Sequence, residues 1–222
     1  IQDLRDLSFH IPNFAIQGVG SGQQRPIIRG VNNFTGSSAL VGIYLDEIAL
    51  PTVSGVGFEL QANDIHNIEV LKGPQGTLFG QGAAGGVVRY ISNKPSFDGF
   101  EGGVSLSGFD TKGGDFSQKY SVFANLPLVE DVFALRVNAA YENYGGWIDS
   151  ISSTTSEEIT ENSNEKRVSN FQVKGLWKPS DNLNVDVLAI QYESSAGNEN
   201  KASKDSRIPL IVRRNMPFYG TD

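Results

Sequence analysis

The side chains that could act in catalysis or hold a metal are few and widely separated in this sequence. The two histidines, His10 and His66, have no ligand-like spacing, and there is no cysteine, which excludes disulfides, thiolate metal sites and cysteine nucleophiles. Several glutamates fall within residues 157–165. Such an acidic stretch is usually a solvated loop, and capture of a cationic or metal-bearing ligand is the alternative. No catalytic residue and no metal site is predicted.

A glycine pattern that could bind a dinucleotide occurs once. Residues 80–85 match G-x-G-x-x-G, which holds a pyrophosphate when it joins a strand to a helix. Gly73, Pro74 and Gly76 interrupt the preceding segment, and Val87–Ile91 is β-branched and strand-like, so the required helix is not expected. The G-x-x-x-x-G-K-[ST] phosphate loop does not occur. No cofactor is predicted, and no constellation favours an enzyme.

Charge and composition narrow the class of protein. The net charge of -7, from 18 basic and 25 acidic residues, argues against nucleic acid as a partner. Glycine (25) and phenylalanine (13) are frequent and Met occurs once, which is typical of β-rich chains with many tight turns. No run approaches the ~18 apolar residues of a membrane helix, so any membrane span must be made of strands. The chain begins with Ile1 and stops in a polar stretch at Asp222, and we expect both ends to be cut.

Two domains are predicted. Residues 1–95 are glycine-rich and irregular, with short apolar segments between turn residues, which indicates a small mixed α/β domain. Its first helix is expected where Leu4, Leu7 and Ile11 have helical spacing, just before a proline. After residue 95 the apolar pattern changes to period two, which predicts strands in a second domain, 96–222.

Five strands are expected in the second domain, at 102–109, 119–126, 133–141, 170–177 and 183–192. Short connections at 127–131 and 179–182 alternate with a long polar one at 145–165, as in outer-membrane barrels. Aromatic residues gather at one end of the third strand, as an interfacial girdle requires; they are Tyr141, Tyr144 and Trp147. Periodicity alone also permits a soluble β-sandwich with its apolar faces inward.

The longest motif lies in the first domain. Residues 68–88, IEVLKGPQGTLFGQGAAGGVV, closely resemble the plug signature of TonB-dependent outer-membrane receptors. Upstream, 28–30 resembles the IRG element of that family, and 41–46 resembles its plug strand ending in an aspartate turn. Downstream, 125–128 and 145–149 are similar to its first barrel hairpins. The signature residues that we take as candidate plug and docking positions are Arg29, Gly30, Asp46, Glu69, Lys72, Gly73, Pro74, Gly76, Gly80, Gly85 and Gly86.

This resemblance implies a mixed α/β plug domain inside a transmembrane antiparallel β-barrel of roughly 22 strands, of which about five are present. It implies an active importer in the outer membrane of a Gram-negative bacterium, surrounded by outer-membrane lipid. The imported ligand would be of the iron-siderophore, cobalamin or glycan type. The implied partner is TonB, contacted through a TonB box that would precede Ile1, with its proton-gradient-coupled inner-membrane complex.

Roles for individual residues also follow from the resemblance. Arg29 and Lys72 would face carboxylates on the inner barrel wall; Lys72 stands where Arg is common, so bidentate pairing is unavailable there. Ligand contacts are expected in loops 145–165 and 194–222 and in plug turns 31–38 and 50–56, because loops on a rigid scaffold concentrate binding residues. Phe34 and Trp147 are the candidate contacts.

A second interpretation assigns the chain to another class of protein. It would be a soluble, secreted β-sandwich that binds carbohydrate, with Trp147 and Trp177 as platforms for sugar rings. The two interpretations differ in which face of the strands should be exposed.

Overall fold

The structure, a computed structural model, describes residues 4–20, 23–32, 39–50, 52–53, 56–58, 63–80, 82–151, 158–180 and 182–197. The chain forms two compact units, Ile1–Asn93 and Lys94–Asp222. In the described ranges, no helix is both long and apolar enough to cross a membrane.

The first unit is built from short strands in two four-stranded sheets. Its elements are α1 (Leu4–Ser8), β1 (Phe14–Gly20), β2 (Gln23–Ile28), β3 (Val41–Leu45), β4 (Ile48–Ala49), β5 (Thr52–Val53), β6 (Val56–Phe58), β7 (Ile65–Lys72), α2 (Gly76–Phe79) and β8 (Gly86–Ser92). The sheet orders are β1-β2-β6-β5 and β4-β3-β8-β7. Strands β3 and β8 run parallel, and the other neighbours are antiparallel.

The core of this unit lies at the parallel pair. All five residues of β3 are buried, as the run VGIYL at the centre of a sheet requires. Tyr44, Ala83 and Val87 form a buried cluster against Leu71 and Phe79. The rings of Tyr44 and Phe79 meet edge to face with centroids 5.0 Å apart, and the Tyr44 hydroxyl donates to the Phe79 carbonyl. This part of the signature is therefore fastened to the central strand.

The predicted first helix is confirmed over a shorter span. Helix α1 ends at Ser8, and its Leu4 and Leu7 are buried while Ile11 lies beyond it in a bend. The amide of Ile11 still donates to the Leu7 carbonyl, at 2.9 Å. Leu4 and Leu7 are thus the apolar residues of α1 that pack against the rest of the unit.

The second unit is an antiparallel sheet. Its elements are β9 (Glu101–Phe109), β10 (Ser117–Val129), β11 (Phe133–Tyr144), β12 (Ser150–Ile151), β13 (Glu158–Thr160), β14 (Lys166–Ser180) and β15 (Leu183–Ala196). The five long strands are hydrogen-bonded in the order β15-β14-β11-β10-β9, and β12 and β13 form a small hairpin in the long connection. All five predicted strands are present, each longer than its periodic segment.

The turn expected at 127–131 is shorter than predicted. Pro127 pairs with Ala134, Val129 pairs with Phe133, and the register shifts between these two pairs. A bulge tolerates a proline because the missing N–H is not needed by the ladder there. The reversal is made near Asp131, whose φ is 54°. Proline therefore marks the bulge and not the end of the strand.

The start of this sheet is held by Asn125, which is 1% exposed. Its side-chain oxygen accepts from the Ser96 amide at 2.9 Å. Its side-chain nitrogen donates to the carbonyls of Ser96, at 3.0 Å, and Gly99, at 2.9 Å. The segment leading into β9 is thus bound to the neighbouring strand β10.

The exposure of the two faces of the sheet is the reverse of that in a water-soluble sheet: the apolar face is exposed and the polar face is buried. Val104 and Leu106 are each 71% exposed, and Val122 and Phe171 on the same face are also exposed. The polar side chains of the other face are buried; they include Arg136, Asn138, Asn170, Gln172 and Lys174. Large apolar patches are rare on soluble monomers. An outward apolar face and an inward polar face are the pattern of a strand set in a membrane barrel.

Aromatic side chains mark both ends of the apolar face. Tyr120 lies directly opposite Tyr141 near the long loop, and Phe133 lies opposite Trp177 near the tight turns. This matches the paired girdles of outer-membrane barrels. The predicted single cluster was partly wrong, because Tyr144 is an odd number of residues from Tyr141 and projects from the opposite face.

Candidate functional site

The IRG element and the Gly73–Pro74 element meet in the first unit. Arg29 and Gly30 have φ values of 52° and 80°, so the chain turns sharply after β2. A Cβ built on Gly73 would lie 3.7 Å from Nη1 of Arg29, which places the guanidinium beside the signature turn. The Lys72 ammonium donates to the carbonyl of Pro12 at 2.6 Å. The two basic positions singled out in the sequence are therefore neighbours.

Both basic positions also fix the turn before β1. The Arg29 amide donates to the carbonyl of Asn13, at 2.9 Å, next to the Pro12 carbonyl that Lys72 binds. Arg29 itself is exposed. Its guanidinium is thus available to a group outside the unit, whereas the Lys72 ammonium already has a backbone acceptor.

The glycine pair that ends the signature packs against the IRG element. A Cβ on Gly85 would lie 2.6 Å from Cγ1 of Val31. Gly86 has a φ of 146°, and a Cβ there would overlap the Leu71 carbonyl oxygen and lie 2.7 Å from Cδ1 of Ile28. The two sequence elements interlock at this point, which explains why two consecutive residues without side chains are needed.

The other signature residues shape the turn between β7 and β8. Gly73, with a φ of 102°, and Pro74 lead from β7 into α2, which begins at Gly76. The Gln75 amide donates to the Ala83 carbonyl at 2.8 Å, and Gly80, with a φ of 69°, ends the helix. A Cβ on Gly76 would meet nothing within 4 Å. This segment is a backbone-bonded turn; no dinucleotide-binding helix follows it, because β8 begins at Gly86.

A network around Asp46 joins β3, β7 and β8. The Asp46 carboxylate accepts from the Ser92 amide at 2.9 Å and from the Ser92 hydroxyl at 2.7 Å. Arg89 donates to the Asp46 carbonyl at 3.0 Å and pairs with Glu47. The third nitrogen of the Arg89 guanidinium, Nη1, lies 3.6 Å from the Glu69 carboxylate. Asp46 and Glu69, both predicted signature residues, are thus brought together through Arg89.

Arg89 and Ser92 are not among the candidate positions that the sequence motifs indicate. The signal that could have found Arg89 is the antiparallel register of β7 and β8, which sets Glu69 directly opposite it. Oppositely charged cross-strand pairs stabilise a sheet. Without knowing that β7 and β8 are neighbours, the pairing cannot be seen.

The predicted ligand contacts are only partly covered by the structure. Phe34 lies outside the described residues, as do parts of the turns 31–38 and 50–56 and the region after residue 197. Trp147 is 47% exposed in the loop after β11. Its amide and that of Ile148 both donate to the Asn164 side-chain oxygen, at 2.7 and 2.9 Å. The backbone that carries Trp147 is therefore held in place.

The stems of the loops around Trp147 touch one another through backbone. A Cβ on Gly145 would overlap the carbonyl of Asp115, and one on Gly146 would overlap that of Asn162. The Asn162 amide also donates to the Asp149 carboxylate at 2.9 Å. Three loop stems thus form a single packed base, which the sequence pattern did not reveal.

The comparisons with known proteins agree with this architecture. Residues 1–87 match the model of the TonB-dependent Receptor Plug Domain family. The ferric enterobactin receptor of Pseudomonas aeruginosa is 18% identical with a TM-score of 0.68, over 96% of this chain and 33% of that one. The ferric yersiniabactin uptake receptor of Yersinia pestis is 20% identical with a TM-score of 0.65, over 88% and 29%. The pyoverdine outer membrane receptor of P. aeruginosa PAO1, bound to pyoverdine, is 18% identical with a TM-score of 0.64, over 89% and 26%.

At these identities the likeness to the solved structures is one of fold. The chain spans between about a quarter and a third of the length of these three proteins. It corresponds to their plug and to several strands of the sheet that follows.

Proposed function

We propose that the chain is the plug domain and several barrel strands of a TonB-dependent receptor, and therefore part of an active importer in the outer membrane of a Gram-negative bacterium. The match of residues 1–87 to the plug family and the fold shared with the similar receptors support this proposal. The observation that carries the proposal is the five-stranded sheet with its apolar face exposed and its polar face buried. Lipid is the solvent that favours such a face. A soluble β-sandwich buries its apolar face, so the carbohydrate-binding alternative is not supported.

The proposed cycle requires an external source of work. A ligand held at nanomolar affinity is bound by ~12 kcal/mol, and fast release to the inside needs a conformation with lower affinity. We assign that work to TonB and its proton-gradient-coupled inner-membrane complex. TonB would contact the receptor through a TonB box.

A siderophore-type iron chelate is the first candidate ligand, because the three similar structures described above are named for pyoverdine, yersiniabactin and enterobactin. Cobalamin and glycans are the alternatives.

Uptake that depends on TonB is the first expected result. In a strain lacking the gene, growth on one class of iron chelate under iron limitation should fail and should be restored by the full-length gene. The same gene should restore nothing in a strain that also lacks TonB, because no work reaches the plug. The measurement is uptake of radioactive iron in the two backgrounds, with fractionation to the outer membrane as the control for expression. Equal uptake with and without TonB would contradict the proposal.

The docking role of Arg29 gives a second expected result. We propose that its exposed guanidinium pairs with carboxylates on wall strands outside this chain. The planar guanidinium suits this role because it can bind a carboxylate through two parallel hydrogen bonds. Arg29→Ala in the full-length receptor should loosen the plug and raise sensitivity to large antibiotics that the barrel normally excludes. Lys72→Ala should raise it less, since the Lys72 ammonium is bound to the Pro12 carbonyl.

Arg29→Lys is the matched control, because it keeps the charge and loses the planar fork. It should lie between the wild type and Arg29→Ala. If Arg29→Ala stays as tight as the wild type and transports normally, Arg29 has no docking role.

A further inference from the structure

A cluster of two lysines and two aromatic rings lies at the loop end of the polar face of the sheet. We refer to Phe109, Lys119, Tyr144 and Lys166 as the aromatic–lysine cluster. The ammonium of Lys119 is 4.7 Å from the Tyr144 ring centroid and 5.9 Å from that of Phe109. The ammonium of Lys166 is 4.5 Å from the Tyr144 centroid. One tyrosine ring therefore contacts two cations.

The register explains how four strands assemble this cluster. Lys166 lies directly opposite Tyr144 on the neighbouring strand, and Lys119 lies opposite Glu142, two residues from Tyr144 on the same face. The Tyr144 hydroxyl donates to the Glu142 carboxylate at 2.6 Å, which fixes the ring. The rings of Phe109 and Tyr144 meet edge to face, with centroids 6.1 Å apart. The cluster is thus oriented by contacts within the sheet.

The charge of the cluster differs from that of the chain. The four residues of the cluster carry two ammonium groups, and the Tyr144 hydroxyl holds the Glu142 carboxylate beside them, in a chain whose net charge is -7. Lys166 is 7% exposed, while Lys119 is partly exposed and Phe109 is 42% exposed. A cation over an aromatic ring interacts more strongly when it is desolvated. Lys166 therefore supplies positive potential from behind the ring, and Lys119 and Phe109 offer the surface that a ligand can reach.

We propose that the aromatic–lysine cluster is a binding site for an anionic chelate whose metal-binding groups are aromatic, such as an iron(III) catecholate. Ammonium groups attract the negative charge of such a chelate and raise its local concentration. The exposed ring of Phe109 offers its edge or face to an aromatic group of the ligand. A neutral chelate or a sugar gains nothing from the two cations. The inference rests on the proposed function, since it takes the loop end of the sheet as the external end.

The test uses the full-length receptor and two probes of opposite character. One is the iron(III) complex of 2,3-dihydroxybenzoate, which is anionic and aromatic, and the other is a neutral iron(III) tris-hydroxamate. Wild-type receptor should bind the catecholate complex more tightly. Lys119→Gln should weaken that binding about tenfold, the factor that corresponds to ~1.4 kcal/mol, while Lys119→Arg should restore it. Affinity is measured by quenching of tryptophan fluorescence, at low and at physiological salt.

Lys178→Gln is the matched control. Lys178 lies on the same strand as Lys166, near its other end, with its ammonium 5.0 Å from the Phe97 ring centroid. Its loss removes the same charge and the same kind of contact, and it should leave catecholate binding unchanged. Heat modifiability on unboiled gels shows whether each variant has folded.

Three outcomes would overturn the inference. They are unchanged catecholate binding in Lys119→Gln, equal loss in Lys178→Gln, and a wild-type receptor that binds neither probe or prefers the neutral one. Uptake assays with and without TonB keep the two proposals apart. TonB-dependent uptake of a neutral nutrient would remove the aromatic–lysine cluster as a ligand site and leave the importer in place, whereas uptake independent of TonB would contradict the importer itself.

Discussion

Gly86→Ala is expected to disrupt the plug in the full-length receptor. The added methyl would overlap the Leu71 carbonyl and crowd Ile28 at a backbone φ of 146°. Overpacking of this kind costs ~1–3 kcal/mol, and strained backbone costs about 1–3 kcal/mol more. A unit the size of Ile1–Asn93 is stable by roughly 5–14 kcal/mol. The substitution should therefore remove a large part of that stability, and limited proteolysis of the purified receptor should cleave the plug faster than in the wild type.

Gly76→Ala is the matched control for this prediction. It is the same substitution in the same signature, at a position where the added methyl meets nothing within 4 Å. Alanine also favours the helix that begins there. The two variants should differ clearly in proteolysis and in antibiotic exclusion. Similar behaviour of both would mean that the contact between Gly86 and the IRG element does not stabilise the plug.

Val122→Arg is expected to impair insertion of the receptor into the outer membrane. Val122 is 46% exposed on the apolar face, one row inside the pair Tyr120 and Tyr141. At an exposed site in water such a change alters stability by about 0.5 kcal/mol or less. In lipid, an arginine costs about 2–4 kcal/mol at the midplane and less towards the interface. The measurement is the amount of heat-modifiable receptor in outer-membrane fractions.

Gln118→Arg provides the comparison on the same strand and the same face. Gln118 lies beyond the tyrosine row, where it accepts from the Tyr120 hydroxyl at 2.7 Å. An arginine at that level can reach the polar side of the interface, so assembly should be close to normal. Equal yields of the Val122 and Gln118 variants would show that the apolar face does not meet lipid.

The elements that were predictable from the sequence are those whose signal is local. Alternation in segments such as 133–141 identified all five long strands, because side chains on a strand point to alternate faces. The glycines of the signature indicated tight backbone turns, and Gly73 and Gly80 do have positive φ values. Arg29 and Lys72 were singled out by position, and the structure brings them to the same corner of the first unit.

What could not be predicted depends on which strands are neighbours. The ion pairs of Arg89 require the register of β7 and β8, and the two cations at Tyr144 require β10 and β14 to pair in register with β11. Pro127 was taken to end a strand because a bulge has no signature in a single strand. Period-two patterns also leave open which face meets water, and only the burial of Arg136 and its polar neighbours resolved that question.

The packed stems divide the long loop after β11 into a closely packed base and an outer region that the base does not constrain. Gly145 and Gly146 have no room for a side chain, because neighbouring carbonyls occupy that space. The hairpin of β12 and β13 extends beyond these contacts. Insertions such as an epitope tag or a randomised peptide can therefore be placed between Ile151 and Glu158 without rebuilding the base.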